Sequence, residues 1–240
     1  MLNLRKLAAE QAQLAKKVRI KNDFEEITFV GGVDHTYIEK DNTIISGIVV
    51  LDYQTKKIVD KAYAIQPCKM PYIPGFLAYR EMPSAAEAYS KLDKKPDVMM
   101  IDGNGILHPR KFGIASHFGV LEDIPTIGVA KKLFIGEVRE GKVYVGDELR
   151  GMEFTTKEKA KPLFISPGHR ITLTKAMEIV RHFVQQPHKL PEPLHLAHRY
   201  VRKLKEEIEK EIIKKETAKD MSSDKKIKDD ERTPASQGEQ

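Results

Sequence analysis

Five positions with helical spacing open the chain and predict an amphipathic helix. They are Leu4, Leu7, Gln11, Leu14 and Val18, with charged residues on the remaining faces. Three segments rich in Ile, Val and Thr follow, and short polar turns separate them. They are Ile27–Val33, Ile44–Leu51 and Lys57–Ile65. Because a parallel return requires a crossover of about a dozen residues or more, the short connections predict an antiparallel meander.

Helical and strand patterns alternate in the middle of the chain. Ser84 followed by Glu87 has the spacing of a capping box, which predicts a helix that begins at Ser84. Two short apolar strands, Asp97–Ile101 and Pro125–Val129, flank a helical stretch at about 113–121. Since strands joined through helices pair in parallel, the expected fold class is α/β, with a mixed central sheet.

The last third of the chain ends in a charged extension. It contains two further strand-like segments and two helices, at Lys142–Val145, at Pro162–Ile165, from about Thr172 and from about Pro193. Apolar residues nearly vanish from about Lys219, and such a segment cannot offset the entropy cost of ordering. We therefore expect a single domain at 1–204 and an extension at 205–240, helical at first and disordered from about residue 219.

The composition excludes several classes of protein. Of the 240 residues, 40% are hydrophobic and one is a cysteine, Cys68. A single cysteine excludes a disulfide scaffold and a Cys-rich zinc site, and is typical of a reducing cytoplasm. No apolar run approaches the ~20 residues of a membrane span, and the first residues do not form a secretion signal. We expect a cytoplasmic protein without a membrane partner.

Charge is unevenly distributed along the chain. Residues 205–240 contain 9 basic and 11 acidic residues, whereas the remaining 204 residues carry a net charge of +8. A basic body is compatible with a polyanionic partner such as nucleic acid. Net charge decides little by itself, since many basic proteins bind no polyanion.

Two acids stand where apolar strands end. Asp34 directly follows Ile27–Val33, and Asp102 directly follows Val98–Ile101. Ligands of open α/β sheets bind at the carboxyl ends of the strands, and carboxylates on neighbouring strands would face each other there. Paired carboxylates without a His or Cys cluster favour Mg²⁺ or Mn²⁺ over zinc. The alternative is structural, because Asp-Gly is a common turn dipeptide and Asp34 is a candidate loop cap.

A third acid and a stiff aromatic segment precede the predicted helix. Glu81 is placed in the loop before Ser84, as a further candidate site residue or as the surface ion-pair partner of Arg80. The prolines of Pro71-Tyr72-Ile73-Pro74 restrict the backbone on both sides of Tyr72. Such an apolar ridge suits insertion into a base stack, unless Tyr72 packs inward.

Candidate anion-binding groups follow the two short apolar strands. Gly103-Asn104-Gly105 allows close approach of backbone N–H groups to a ligand, and His108 and Arg110 follow it. Lys131 comes just after Pro125–Val129, either as a phosphate contact or as a solvated lysine. The Walker, Gly-x-Ser-x-Gly and dinucleotide-binding motifs are absent from the sequence, which argues against kinase, hydrolase-fold and oxidoreductase functions.

Six short motifs, taken in order, resemble those of the endonuclease V family. They are Val30-Gly31-Gly32-Val33-Asp34, Pro71-Tyr72-Ile73-Pro74-Gly75-Phe76-Leu77 with Arg80-Glu81, Asp102-Gly103-Asn104-Gly105 with His108-Pro109-Arg110, Gly113-Ile114-Ala115-Ser116-His117, Gly128-Val129-Ala130-Lys131-Lys132, and Ser166-Pro167-Gly168-His169. Each motif alone is weak, but six in the family's order, between about Asp23 and His198, are specific.

The resemblance implies a ribonuclease H-like fold, a three-layer α/β/α architecture whose mixed sheet has an antiparallel meander followed by parallel strands. It also implies a Mg²⁺-dependent endonuclease of DNA repair, with Mn²⁺ as a substitute, that acts on DNA containing inosine or other deaminated bases. The nick falls at the second phosphodiester bond 3′ to the lesion. Whether RNA is also a substrate stays open, and we expect a monomer whose tail is available to recruit a protein partner.

By the same resemblance, Asp34, Glu81 and Asp102 are the metal-binding catalytic acids, and Lys131 is the catalytic phosphate contact. The ridge Pro71-Tyr72-Ile73-Pro74 is similar to a wedge that fills the space left by an extruded base. The other nucleic-acid-binding positions are Gly75, Leu77, Gly103, His108 and Gly113, and His198 is the candidate counterpart of a family histidine near the metal. Backbone N–H groups around Gly103 and Gly113 are expected to read the edge of hypoxanthine.

Two rival interpretations remain at this point. One is another ribonuclease H-like nuclease, of the junction resolvase type, which would share the acids but not the specificity. The other is a non-catalytic nucleic-acid-binding protein, in which at least one of the acids is usually replaced.

Overall fold

A nine-stranded mixed sheet forms the centre of the computed structural model, which describes the backbone of residues 2–230 and the side chains of residues 2–212 and 214. The strands are β1 (Phe29–Ile38), β2 (Thr43–Asp52), β3 (Ile58–Pro67), β4 (Val98–Asp102), β5 (Thr126–Ala130), β6 (Glu137–Arg139), β7 (Lys142–Val145), β8 (Glu148–Phe154) and β9 (Leu163–His169). The helices are α1 (Leu4–Leu14), α2 (Leu77–Ser90), α3 (Ile114–Glu122), α4 (Leu173–His182) and α5 (Glu192–Asp230), with a 3₁₀ turn at Ala15–Lys17.

The strand order β3-β2-β1-β4-β5-β9-β8-β7-β6 confirms the predicted topology of the central strands. β1, β2 and β3 form the antiparallel meander, and β1, β4 and β5 pair in parallel through α2 and α3. β9 then returns antiparallel to β5. β6 and β8 were not predicted. β6 is exposed throughout, and β8 mixes charged residues with apolar ones, so neither shows an apolar strand pattern.

Helices cover both faces of the sheet, as the three-layer prediction requires. Met82 of α2 and Phe118 of α3 pack with Ile101 on one face. Ile179 of α4 and Ala197 of α5 pack with other strand residues on the opposite face. Burial of both faces explains why β4 and β5 read as short, continuous apolar runs.

The predicted start of α2 at Ser84 is wrong, since the helix begins at Leu77. The Ser84 hydroxyl donates to the carbonyl of Ala64 at 3.2 Å, inside the core, so it does not cap the helix. Pro83 lies within the helix, where a proline ordinarily costs about 3 kcal/mol. Burial of the apolar stripe that includes Ala78 and Met82 offsets that cost, and it places Glu81 on the helix rather than in a loop.

Two strands are longer than the sequence predicted. β1 continues past Val33 to Ile38, so Asp34 lies inside the strand instead of after it. β9 runs to His169, past the end of the predicted segment Pro162–Ile165, so Ser166-Pro167-Gly168-His169 belongs to the strand. The start of the next helix, predicted from about Thr172, is confirmed, because the Thr172 hydroxyl caps α4 by accepting from the Lys175 amide at 3.3 Å.

The first and last helices differ from the sequence prediction, α1 in which residues it buries and α5 in where it ends. In α1 the buried residue is Gln11, at 1% exposure, while Leu4 is exposed. α5 continues to Asp230, past the residue at which order was predicted to end, and residues 231–240 lie outside the described part. The domain division at residue 204 and the disordered tail therefore stay predictions. Within residues 2–230 we find no helix with the length and apolar character to cross a membrane.

Candidate active site

Asp34 and Asp102 come from neighbouring parallel strands. Val33 of β1 pairs with Ile101 of β4, so each acid is the next residue along its strand. Side chains alternate across a sheet, and Val33 and Ile101 both pack on the α2–α3 face. Asp34 and Asp102 therefore point together to the α4–α5 side, as the sequence led us to expect. β4 ends at Asp102 while β1 continues, which opens the sheet beside β1.

Glu81 reaches the same place from α2. Its side chain is buried, at 6% exposure for the residue, and accepts a hydrogen bond from the Tyr37 hydroxyl at 2.6 Å. It is therefore not the surface ion-pair partner of Arg80 considered from the sequence. Burial raises the pKa of the Glu81 carboxyl, and the negative charges of Asp102 and Asp34 raise it further.

One open cleft contains the acids together with two basic side chains. The acid cleft is lined by Asp34, His35, Tyr37, Tyr72, Leu77, Glu81, Asp102, Lys131 and His198. The Lys131 ammonium donates to the Asp102 carboxylate, so this lysine is engaged rather than simply solvated. His198 Nδ1 lies 2.7 Å from Asp34 Oδ2, and since a carboxylate only accepts, Nδ1 is the donor.

Charges in the acid cleft influence one another's titration. Burial raises the pKa of Asp102, the Lys131 ammonium opposes this, and the charge of Asp34 adds to it. Although burial lowers the pKa of Lys131, the Asp102 carboxylate outweighs this and raises it. The Lys131 side chain thus stays positively charged at neutral pH, beside the carboxylates of Asp34 and Asp102, which repel each other.

The donor set suits a hard divalent cation. Three carboxylates with no cysteine supply oxygen ligands, and a cation among them would relieve their repulsion. As placed among the described residues, no group of three or more His, Cys, Asp or Glu side chains is arranged to hold a metal ion. This arrangement is compatible with Mg²⁺, which keeps several waters and binds through one or two carboxylates plus substrate phosphates.

An exposed aromatic ridge stands beside the acid cleft. Tyr72 is 67% exposed, which excludes the alternative that it packs inward. The segment Pro71-Tyr72-Ile73-Pro74 has no regular secondary structure and leads into α2. Met70, just before it, is anchored because its carbonyl accepts from Arg80 Nη1 at 2.6 Å. The ridge therefore holds an aromatic ring in solvent on a restrained backbone.

A second pocket adjoins the acid cleft. The ridge pocket, of about 460 Å³ including its open mouth, is lined by Tyr72, Pro74, Gly75, Leu77, Ala78, Gly103, Asn104, His108, Gly113, Ile114 and Phe134. Tyr72 and Leu77 line both the ridge pocket and the acid cleft. Most of the predicted nucleic-acid-binding positions thus lie in one concavity, whereas Pro71 and Ile73 lie outside its lining.

Three side chains converge on the carbonyl of Gly75 in the ridge pocket. Arg110 Nη2 donates to it at 2.7 Å and Gln11 Nε2 at 3.1 Å, while His108 Nε2 lies 3.2 Å away. Gly75 has φ +80°, the left-handed region that favours glycine. Burial and the Arg110 charge lower the pKa of His108 to about 4, so the imidazole is neutral at physiological pH.

The amide groups of Gly103 and Gly113 are already engaged within the chain. The Gly103 N–H donates to the Val129 carbonyl at 3.2 Å, and the Gly113 N–H donates to the Gly105 carbonyl at 3.0 Å. These two N–H groups are therefore not free to read a base, and the reading of the hypoxanthine edge by backbone N–H groups around them stays a prediction. The polar atom left over is Asn104 Oδ1, which is buried and has no hydrogen-bond partner among the described residues.

Comparison with known proteins agrees with this geometry. The model of the Endonuclease V family matches residues 12–199. The chain belongs to the endonuclease V family. Endonuclease V of Dictyoglomus thermophilum is 39% identical over 212 residues, which cover 85% of this chain and 92% of that protein. This chain is therefore an endonuclease.

Solved endonuclease V structures share the fold. That of Bacillus subtilis is 30% identical, with a TM-score of 0.81 over 88% of this chain and 95% of its own. That of Ciona intestinalis, 28% identical with a TM-score of 0.70 over 85% of this chain and 98% of its own, is in complex with DNA containing an inosine followed by a ribo-adenosine. The likeness confirms the ribonuclease H-like fold class.

Three functional candidates were missed in the sequence. Gln11 supports the ridge pocket, and His35 and Tyr37 face Glu81. The two-residue period of a strand could have identified His35 and Tyr37, because they lie two and four residues after Val33 and so share its face of the sheet. The predicted end of the strand at Val33 concealed that signal. His195, three residues before His198, stacks on His188 and lies outside the acid cleft.

Proposed function

We propose that this endonuclease V is Mg²⁺-dependent, with Mn²⁺ as a substitute, and nicks DNA containing inosine or another deaminated base at the second phosphodiester bond 3′ to the lesion. The observation that carries this proposal is the shared wall of the acid cleft and the ridge pocket, formed by Tyr72 and Leu77. A base held in the ridge pocket would bring its strand past the acids. The Ciona intestinalis complex with inosine-containing DNA supports the choice of substrate.

Extrusion of the base would depend on the ridge. Removing a base from the stack costs a few kcal/mol, and less when its pairing is already poor. The exposed ring of Tyr72 would refill the gap, since stacking on an aromatic ring is worth about 1–3 kcal/mol per base. In the ridge pocket, Asn104 Oδ1 is the acceptor without a partner among the described residues.

The acid cleft would carry the hydrolysis. Members of the family depend on a metal, and Asp34, Glu81 and Asp102 are the residues that would hold it. When bound, a divalent cation supplies charge stabilisation at the phosphate oxygens and an activated water. The Lys131 ammonium would contact a phosphate oxygen, where it offsets charge that develops in the transition state. His198 would fix the orientation of the Asp34 carboxylate through its Nδ1–H.

Partners beyond DNA are also part of the proposal. We propose a cytoplasmic monomer that binds inosine-containing DNA, with RNA as an open second substrate. The family match ends at residue 199, so the charged extension at 205–240 lies beyond it and is available for a protein partner. Binding of the basic body to phosphates predicts strong salt dependence.

One assay tests the function. End-labelled oligonucleotides with a single inosine, as DNA and RNA and as single and double strands, are incubated with and without Mg²⁺, and products are sized against a ladder. We expect Mg²⁺-dependent nicks one nucleotide 3′ to inosine and none in the inosine-free control. Cleavage of a four-way junction but not of inosine would favour the junction resolvase type. Binding without cleavage would favour a non-catalytic protein.

A further inference from the structure

Two side chains of β1, those of His35 and Tyr37, reach the Glu81 carboxylate of α2. Tyr37 donates its hydroxyl to Glu81 Oε1 at 2.6 Å, and His35 Nε2 lies 3.6 Å from Glu81 Oε2. Each of the two β1 residues therefore faces a different carboxylate oxygen of Glu81. Both side chains lie on the α2 side of the sheet, whereas Asp34, between Val33 and His35 in sequence, points to the other side.

A serine on the neighbouring strand fixes the imidazole of His35. Ser46 is the direct cross-strand partner of His35, and its hydroxyl lies 2.7 Å from His35 Nδ1. With the Ser46 hydroxyl as donor to Nδ1, the ring proton sits on Nε2 and points at Glu81. Ser46 is fully buried, and His35 Nε2 has no hydrogen-bond partner among the described residues. The nearby carboxylate oxygen is thus the acceptor available to this donor.

The ring of Tyr37 is held from its other side. The Arg80 guanidinium lies 4.2 Å from the ring centroid, and Arg80 also donates to the Met70 carbonyl. The Tyr37 side chain therefore lies between the Glu81 carboxylate and the Arg80 guanidinium. The same guanidinium holds the carbonyl of Met70, the residue just before the ridge. A hydroxyl on a clamped ring fixes the direction of the carboxylate that accepts from it.

We propose that Tyr37 and His35 are positioning residues that orient the Glu81 carboxylate toward a divalent cation in the acid cleft. Each carboxylate oxygen has two lone pairs, so one per oxygen remains for a ligand after the contacts from β1. Partners of this kind typically change metal affinity by about 10- to 100-fold when removed. The inference rests on the proposed metal dependence and adds to it the residues that prepare one ligand.

A purely structural role would leave a different trace. If Tyr37 and His35 only fill the space under α2, their variants lower the unfolding temperature and leave metal affinity unchanged. If they orient Glu81, metal affinity falls while the affinity for inosine DNA without metal is retained. Metal affinity and thermal stability therefore separate the two roles.

The test uses Tyr37→Phe in the full chain, because this variant removes one hydroxyl and keeps the ring. Mn²⁺ binding is measured without DNA, by titration of free Mn²⁺ with electron paramagnetic resonance. We expect about 10-fold weaker binding, a matching rise in the Mg²⁺ concentration for half-maximal nicking, and little change in the unfolding temperature. Tyr63→Phe, an exposed tyrosine on β3, is the matched control and should bind Mn²⁺ as the wild type does.

His35 is tested by a pair of variants. His35→Gln keeps a side-chain donor that can face Glu81, and it should retain most of the Mn²⁺ affinity. His35→Leu removes the donor and should lose about as much affinity as Tyr37→Phe. Equal Mn²⁺ affinity of Tyr37→Phe and the wild type would overturn the inference while leaving the proposed function intact. Nicking by the wild type without any divalent metal would instead overturn the proposed function.

Discussion

Asp34 of β1 and Asp102 of β4 occupy equivalent positions on two neighbouring parallel strands and point to the same side of the sheet. Beyond this level β4 ends, and β1 continues alone. The acid cleft is the consequence of that difference in strand length, because Glu81 of α2 and the basic side chains Lys131 and His198 converge on the space it leaves. Sheet register therefore places two acids, and one helix supplies the third.

Replacing either strand acid should abolish nicking but spare binding. Asp34→Asn and Asp102→Asn remove a charged oxygen ligand while keeping the side-chain shape, so we expect at least about 10³-fold slower cleavage of inosine DNA at saturating Mg²⁺. Affinity for the same DNA, measured by a mobility shift, should change little. Asp147→Asn, at an exposed position outside the acid cleft, is the matched control. Cleavage at the wild-type rate by either variant would show that these acids are not catalytic.

Lys131 and its sequence neighbour offer a paired comparison. Lys131→Gln removes the ammonium that contacts Asp102, and leaves less positive charge to balance the acids. We expect roughly 10²-fold lower kcat, as for the loss of one transition-state charge contact. Lys132→Gln is the control, since Lys132 is exposed and does not line the acid cleft. An equal loss of kcat in both variants would contradict a specific role of Lys131, whereas an equal rise in KM with unchanged kcat would indicate a general charge effect on DNA binding.

Tyr72 should contribute to lesion recognition rather than to metal dependence. Tyr72→Ala removes an exposed ring from the ridge, and loss of one stacking contact of about 1–3 kcal/mol corresponds to roughly 5- to 150-fold weaker binding of inosine duplex. The Mg²⁺ concentration for half-maximal nicking should stay unchanged. Leu121→Ala removes an exposed apolar side chain at the end of α3 and serves as the control. The same affinity of the parent protein for damaged and undamaged duplex would remove the basis for a wedge.

Buried neutral histidines should make the fold acid-sensitive. The pKa of His108 is lowered to about 4 by burial and by Arg110, whereas that of an unfolded histidine is about 6.5. Between these values the unfolded state binds more protons, so the free energy of unfolding falls as pH decreases, by about 1.4 kcal/mol per pH unit for this residue. His117, whose pKa burial lowers to about 4, acts in the same direction.

Urea unfolding of His108→Gln between pH 4 and 7 measures the His108 contribution. We expect the variant to lose less stability than the wild type as pH falls, with a slope smaller by about 1.4 kcal/mol per pH unit. A measurement at pH 8, where the histidine is neutral in both states, isolates the packing effect of the substitution. Parallel stability profiles would show that His108 does not titrate as its burial indicates.

The sequence located the candidate site better than it located the boundaries of its elements. Asp34 and Asp102 were found because apolar strands precede them, and Tyr72 because two prolines bracket it. Glu81 was found but placed in a loop, because Ser84 and Glu87 have the spacing of a capping box. In the structure the helix already begins at Leu77, and the Ser84 hydroxyl bonds within the core. His35 and Tyr37 were missed because the strand was expected to end before them.

Local patterning determined the order of helices and strands, the mixed sheet and the family motifs. These features depend on side-chain periodicity and on short-range backbone preferences, which sequence records directly. Tertiary structure alone decided which amide groups are free and which oxygen each donor reaches. The Gly103 and Gly113 N–H groups are taken by partners within the fold, and Tyr37 meets Glu81 across a gap of 44 residues. Such pairings depend on register and packing between distant segments, which residue spacing does not encode.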